Sequence, residues 1–205
     1  MLGYKHVSVV SINIFPTDEH EVLKKIVDGF KHFSLANISC TNALLTKTKE
    51  TTAFLKDLNE QISKDDTANL YVIHGTPRLD TIGIDSISYS ASFLELISEN
   101  NFTCSLEGAF PYFEINDVIK SRIEKLGLKK VQVVPLLLVS GNHYIEDMFE
   151  IKDDLSDKFE SFIVPSLTKS EKFNLIELPM IQNIIEKNIQ NTFKMMGISH
   201  KEITY

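Results

Sequence analysis

The chain has 205 residues, 43% of them hydrophobic and 24% charged, with 21 basic against 28 acidic side chains and a formal charge of −7. That balance is too apolar for a disordered chain and too acidic for a general nucleic-acid binder, which needs a basic face to displace counterions. No run approaches the roughly 20 apolar residues of a membrane span, and two cysteines without a CxxC pair exclude a disulfide framework and a cysteine zinc cage. The N-terminal residues lack the small-residue cleavage pattern of a secretory signal, so the expected compartment is the reduced cytoplasm.

In chain order, residues 7–15 (VSVVSINIF) are β-branched and predict a strand. A helix follows over 19–33, with Val22, Leu23, Ile26, Val27, Phe30 and Phe33 at helical spacing. A weak strand over 35–40 leads to a helix over 47–62, with Phe54, Leu55, Leu58 and Ile62 on one face. The short strand 70–73 (LYVI) stops at His74-Gly75-Thr76-Pro77; helix 86–98, strand 102–106 and helix 115–126 come next. Residues 131–139 (VQVVPLLLV) form the most apolar strand. A helix starts near Tyr144, a last strand lies over 162–167, and a closing helix runs over 178–196. Strands alternating with helices of this length predict an α/β fold with mostly parallel sheet, covered on both faces.

In such sheets the binding crevice lies outside the carboxyl ends of the strands. His74 follows strand 70–73 directly, Glu107 follows strand 102–106, and His143 stands four residues beyond Val139. Imidazole and carboxylate donors suit first-row divalent metals, and a set of three leaves coordination positions open for a substrate. The same groups accept protons near neutral pH. Taken alone, a strand-end histidine is more often a hydrogen-bonded structural residue than a ligand, and Glu107 could be a carboxylate at a helix N-terminus; three such residues at successive strand ends point more to a site. Arg78, one of two arginines in the chain, lies at the same rim and could grip a ligand carboxylate or make a surface ion pair. His6, His20, His32 and His200 sit on polar or terminal stretches and read as solvated. Neither a glycine-rich phosphate loop nor a GxSxG elbow is present.

Three segments carry a resemblance: YVIHGTP (71–77), SLEGAFPYFEINDVI (105–119) and VVPLLLVSGNHYIEDM (133–148). They resemble the class II chelatases, most closely the anaerobic cobalt chelatases of cobalamin biosynthesis (sirohydrochlorin cobaltochelatases). Pro135, Leu136, Leu138, Val139, Gly141, His143, Asp147 and Met148 fit the most specific of the family's runs. The resemblance implies flavodoxin-like parallel sheets in two lobes around a tetrapyrrole cleft: a reduced N-terminal lobe over 1–66, a complete C-terminal lobe with the metal site over 67–177, and a closing helix over 178–205.

It further implies insertion of cobalt(II), or another divalent metal, into sirohydrochlorin or a related tetrapyrrole. The metal is then a substrate and no organic cofactor is expected. His74, Glu107 and His143 become metal ligands and catalytic residues; the chemistry of removing pyrrole protons points to His74 as base, and a role for Arg78 as an anchor for substrate carboxylates is our own inference from its place at the rim, not part of the resemblance. The alternative is a non-catalytic carrier or regulator derived from a chelatase. The chain departs from the family in having Arg78-Leu79 where a further histidine is usual and Asn142 where an aspartate is usual. It also lacks the two strands expected before Met1, which leaves the edge of strand 7–15 uncovered. Exposed strand edges are normally paired or covered, so a homo-oligomer, most simply a two-fold dimer, is expected, with no nucleic-acid or membrane partner.

Overall fold

The computed structural model describes residues 4–138 and 142–198. The elements in chain order are β1 (His6–Val9), α1 (Asp18–Lys31), β2 (Asn37–Cys40), α2 (Thr48–Ile62), β3 (Thr67–Gly75), α3 (Ile84–Ile97) and β4 (Asn101–Glu107). They continue with α4 (Tyr112–Lys125), β5 (Lys130–Leu136), α5 (Asn142–Ser156), β6 (Glu160–Ile163), a 3-10 turn (Leu175–Glu177) and α6 (Pro179–Met195). Among the described residues no helix is long and apolar enough to cross a membrane.

Among the described residues the strands form two sheets, one of two strands (β1-β2) and one of four in the order β4-β3-β5-β6, with every pairing parallel. Relative to its own first strand the larger sheet runs second, first, third, fourth. That is the flavodoxin-like order, with a topological switch between β3 and β5. Alternate residues of the same strands serve two cores. Tyr71, Ile73, Val134 and Leu136 face a cluster with Leu55 and Leu58 of α2, Leu94 of α3 and Ile181 of α6. Leu70, Val72, Val131 and Val133 face the other side, against Ile119 and Ile123 of α4 and Met148, Ile151 and Leu155 of α5. Both faces are covered, which is why these strands read as unbroken apolar runs.

β3 extends beyond the predicted 70–73 because its amino end buries polar side chains that partner each other. The Asn69 amide donates to Asn101 Oδ1 on β4 (2.8 Å), and Gln132 on β5 donates to Asn69 Oδ1. Asn101 in turn donates to Asn59 Oδ1 of α2 (2.8 Å), which also accepts from the Tyr71 hydroxyl (2.9 Å). This amide ladder ties three strands and a helix together at the end of the sheet remote from the crevice.

The strand predicted over 7–15 ends at Val9. Beyond it the Thr41 hydroxyl accepts the Ser11 N–H (2.8 Å), and the carbonyls of Asn13 and Ile14 accept from the amides of Leu44 and Leu45. A side chain thus replaces a ladder bond, and 10–16 runs as an extended loop beside 41–45. The last strand likewise stops at Ile163: Val164 still donates to the Val133 carbonyl (2.9 Å), but Pro135 opposite has no N–H to return to the carbonyl of Val164. Ile14, Phe15, Leu44 and Leu45 of these loops join the core of the larger sheet. α6 packs Ile181 and Ile184 into that core, and its Asn188 amide reaches the Asn42 carbonyl (3.4 Å) beside β2. The closing helix therefore touches both the core of the larger sheet and the loop after β2 of the smaller one.

Candidate metal centre

β3 and β4 run side by side with Gly75 in register with Glu107, so their carboxyl ends deliver His74 and Glu107 to one place. His74 Nδ1 lies 3.6 Å from Glu107 Oε1, both side chains about half exposed. Two glycines make this approach possible. Gly75 and Gly108 both adopt φ of +85°; a Cβ on Gly75 would lie 1.9 Å from the Glu107 carbonyl oxygen, and one on Gly108 would lie 1.8 Å from that of Thr76. Each strand end thus rests on the other's backbone at a position only glycine can fill. Past Glu107 the chain folds back on β4: Ser105 N–H donates to Phe110 O (3.0 Å), which sets the start of α4.

The third expected ligand, His143, falls in the first turn of α5, which follows β5. Its side chain lies outside the described residues, as do Val139, Ser140 and Gly141 before it. Among the described residues no three histidine, cysteine or acidic side chains cluster as a metal cage; His74 and Glu107 form a pair. Arg78 stands exposed on the loop after β3. Its guanidinium is held in bidentate fashion by Asp80, at 2.9 and 2.8 Å.

A cavity of about 270 Å³ opens at the switch point between β3 and β5. The carboxyl ends of β3 and β5 line it with His74, Gly75 and Leu136–Leu138, and the loop after β1 and the start of α1 line it from the other side, including Asn13, Thr17 and Glu19. One sequence expectation fails here. His20 is buried rather than solvated, because α1 turns it under the loop after β1, where Ser11 Oγ lies 2.8 Å from its Nδ1. Burial, followed by the charge of Lys24, lowers its pKa from the ordinary 6.5, so the imidazole is neutral in the fold. His6 and His32 are exposed as expected, and His200 lies outside the described residues.

On the far side of the sheet, buried Lys120 of α4 pairs with Asp154 of α5 (2.8 Å), which also accepts from the Tyr112 hydroxyl (2.7 Å) and from Asn116. Burial raises the Asp154 pKa, but these three hydrogen bonds outweigh it and the net shift is downward. The cluster clamps the helix after the Glu107 loop to the helix that begins with Asn142 and His143. Sequence reasoning missed it: Lys120 occupies an apolar face of α4, a conflict of pattern that only the partner on α5 explains.

Against known proteins, the family model for cobalt chelatase (CbiK) matches residues 1–194 of this chain. The chain belongs to the cobalt chelatase family. Its reaction is therefore that of a metal chelatase. Among solved structures it is similar to SirB from Bacillus subtilis with Fe3+, with a TM-score of 0.64 at 16% identity, over 95% of this chain and 75% of that one. It is also similar to the sirohydrochlorin chelatase SirB from Bacillus subtilis subspecies spizizenii in complex with cobalt, with a TM-score of 0.58 at 16% identity, over 94% and 71%. A multi-domain protein from Deinococcus radiodurans, described as structurally similar to chelatases with two additional domains, gives 0.58 at 12% identity, over 92% and 42%. At these identities the likeness is one of fold, and it agrees with the α/β parallel-sheet architecture expected from the sequence.

Proposed function

We propose that this chelatase inserts cobalt(II), or another divalent first-row metal, into sirohydrochlorin or a related tetrapyrrole held in the cleft between the lobes, with His74, Glu107 and His143 as the ligands of the incoming metal. The observation that carries the reading is the His74–Glu107 pair, locked at 3.6 Å on adjacent strand ends beside a cavity at the switch point of the sheet. Mixed imidazole and carboxylate donors match a borderline cation. A half-exposed pair also leaves coordination positions for water and for the pyrrole nitrogens that replace it. As the metal passes to the macrocycle, the His74 nitrogen it vacates takes a pyrrole proton: metal and proton exchange places.

The family supports cobalt as the metal, and the fold shared with a sirohydrochlorin chelatase supports the substrate, which would place the reaction in cobalamin synthesis. Cys40 and Cys104 are both free, in keeping with the reduced cytoplasm we assign. Arg78 would anchor a substrate carboxylate by exchanging Asp80 for it; a raised KM in Arg78→Ala with unchanged kcat tests that role.

The test of function is the Soret band of sirohydrochlorin mixed with cobalt(II) and the purified chain. A metal-dependent shift faster than in buffer is expected, and His74→Ala should lower that rate by about 100-fold or more. A rate equal to that of buffer overturns the reading.

We further infer that two copies associate through the first lobe. Val22, Ile26 and Phe30 form an exposed stripe along α1, continued by exposed Phe33 and Leu35 in the turn beyond it. Together they offer on the order of 700 Å² of apolar surface per copy, close to the share of each partner in a standard interface. Antiparallel pairing of two α1 helices sets Asp18 and Glu21 of one against Lys31 of the other. Light scattering should give a dimer that Phe30→Glu makes monomeric; a native chain that stays monomeric at micromolar concentration overturns this.

A further inference from the structure

Insertion of a divalent cation releases two pyrrole protons, and the exchange described above gives His74 one of them. The second has no acceptor on that wall, because Glu107 holds the cation. A metal arriving on one face of the ring draws the lone pairs of the pyrrole nitrogens toward itself and bends the remaining N–H toward the other face. The second acceptor therefore belongs across the cleft.

Glu19 stands there. It lies in the first turn of α1 and lines the same cavity as His74 and Gly75, but from the other side. The Thr17 hydroxyl donates to Glu19 Oε2 at 2.7 Å, which directs the carboxylate. The wall behind it is built rather than loose. The Ser11 hydroxyl donates to Asn13 Oδ1 (3.1 Å) and contacts buried His20, and Thr17 is itself buried. Glu19 is solvent-exposed, so a proton placed on it can pass on to water.

We propose that Glu19 is the second proton acceptor of the chelatase, taking a pyrrole proton from the macrocycle face opposite His74. One N–H bond breaks and one carboxyl O–H bond forms. The electron pair left on the nitrogen becomes a bond to the metal, and the carboxylic acid then loses its proton to water. With His74 taking the other proton, the ring leaves as the dianion that balances the divalent cation. The proposal rests on the cleft reading above, and the experiment separates the two.

Glu19→Gln keeps the size of the side chain and an oxygen to accept from Thr17. It should lower kcat for cobalt insertion into sirohydrochlorin at least tenfold while the Kd for cobalt(II) alone stays within twofold. Glu19→Ala should be as slow and should recover rate as formate is added, a response that a merely structural role would not give. A Glu19→Gln rate within twofold of native, or no recovery with formate, overturns the proposal. His74→Ala is measured alongside. If it is inactive while Glu19→Gln is fully active, the Glu19 role alone fails; if it keeps the native rate, the cleft reading falls and takes the Glu19 role with it.

Discussion

In the larger sheet four parallel strands are covered on both faces, and an amide ladder through Asn69, Asn101 and Gln132 joins three of them at the end away from the cavity. In the smaller sheet two strands of four residues pair with each other among the described residues, and Val22, Ile26 and Phe30 of α1, with Phe33 just beyond it, face outward. The two sides of the cleft are therefore held differently. His74 and Glu107 are positioned by strand register and by backbones in mutual contact, whereas Asn13, Thr17 and Glu19 are positioned by side-chain hydrogen bonds within loops. Damage around the larger sheet should strike metal handling and stability together, and damage in the loop after β1 and the start of α1 should be milder and confined to its own wall.

The comparison is broken most severely at Gly75. Gly75→Ala puts a methyl group into the Glu107 carbonyl at a positive φ, and should cost about 3 kcal/mol or more in stability. Urea unfolding checks it, and in any folded fraction cobalt binding should be weakened as well.

Lys120→Met comes next. It strands Asp154 between α4 and α5, and because that carboxylate is a quarter exposed the loss should be about 2 kcal/mol. The native pair has its own pH signature. The folded pKa of Asp154 lies below its ordinary value of 3.8, so its contribution is present above that pH and is lost as the pH falls through the lower, folded value. A thermal melt series should show this acid limb in the native chain and not in the variant.

The loop after β1 and the start of α1 supply the smallest effect. His20 is neutral when folded, with a pKa below 6.5, so the unfolded chain binds more protons as the pH falls. Its contribution is intact above about pH 6.5 and erodes as the pH drops from there through the folded pKa. His20→Gln should flatten this slope by less than about 1 kcal/mol, leaving cobalt affinity unchanged. A large change in cobalt affinity would show that the two walls are not independent.

The alternation of strands and helices was legible because the larger sheet buries apolar residues on both faces, and the meeting of His74 and Glu107 followed from their places at strand ends. Element limits failed where side chains took over from the ladder: Thr41 in place of a partner strand at Ser11, and buried amides prolonging β3 ahead of the expected start at Leu70. His20 was misread because its neighbours in sequence are polar, while its burial comes from Ser11, nine residues earlier. Gly75 and Gly108 were visible as letters, but their service to each other appears only when two strands lie side by side. Glu19 gave no signal beyond its charge, since what distinguishes it is the cavity opposite His74.

Crystals of the chain soaked in cobalt(II) and measured at the cobalt absorption edge test the central claim most directly. An anomalous peak bridging His74 and Glu107, with the His143 imidazole completing the set, is the expected result. A peak elsewhere, with that pair unoccupied at saturating cobalt, would contradict it.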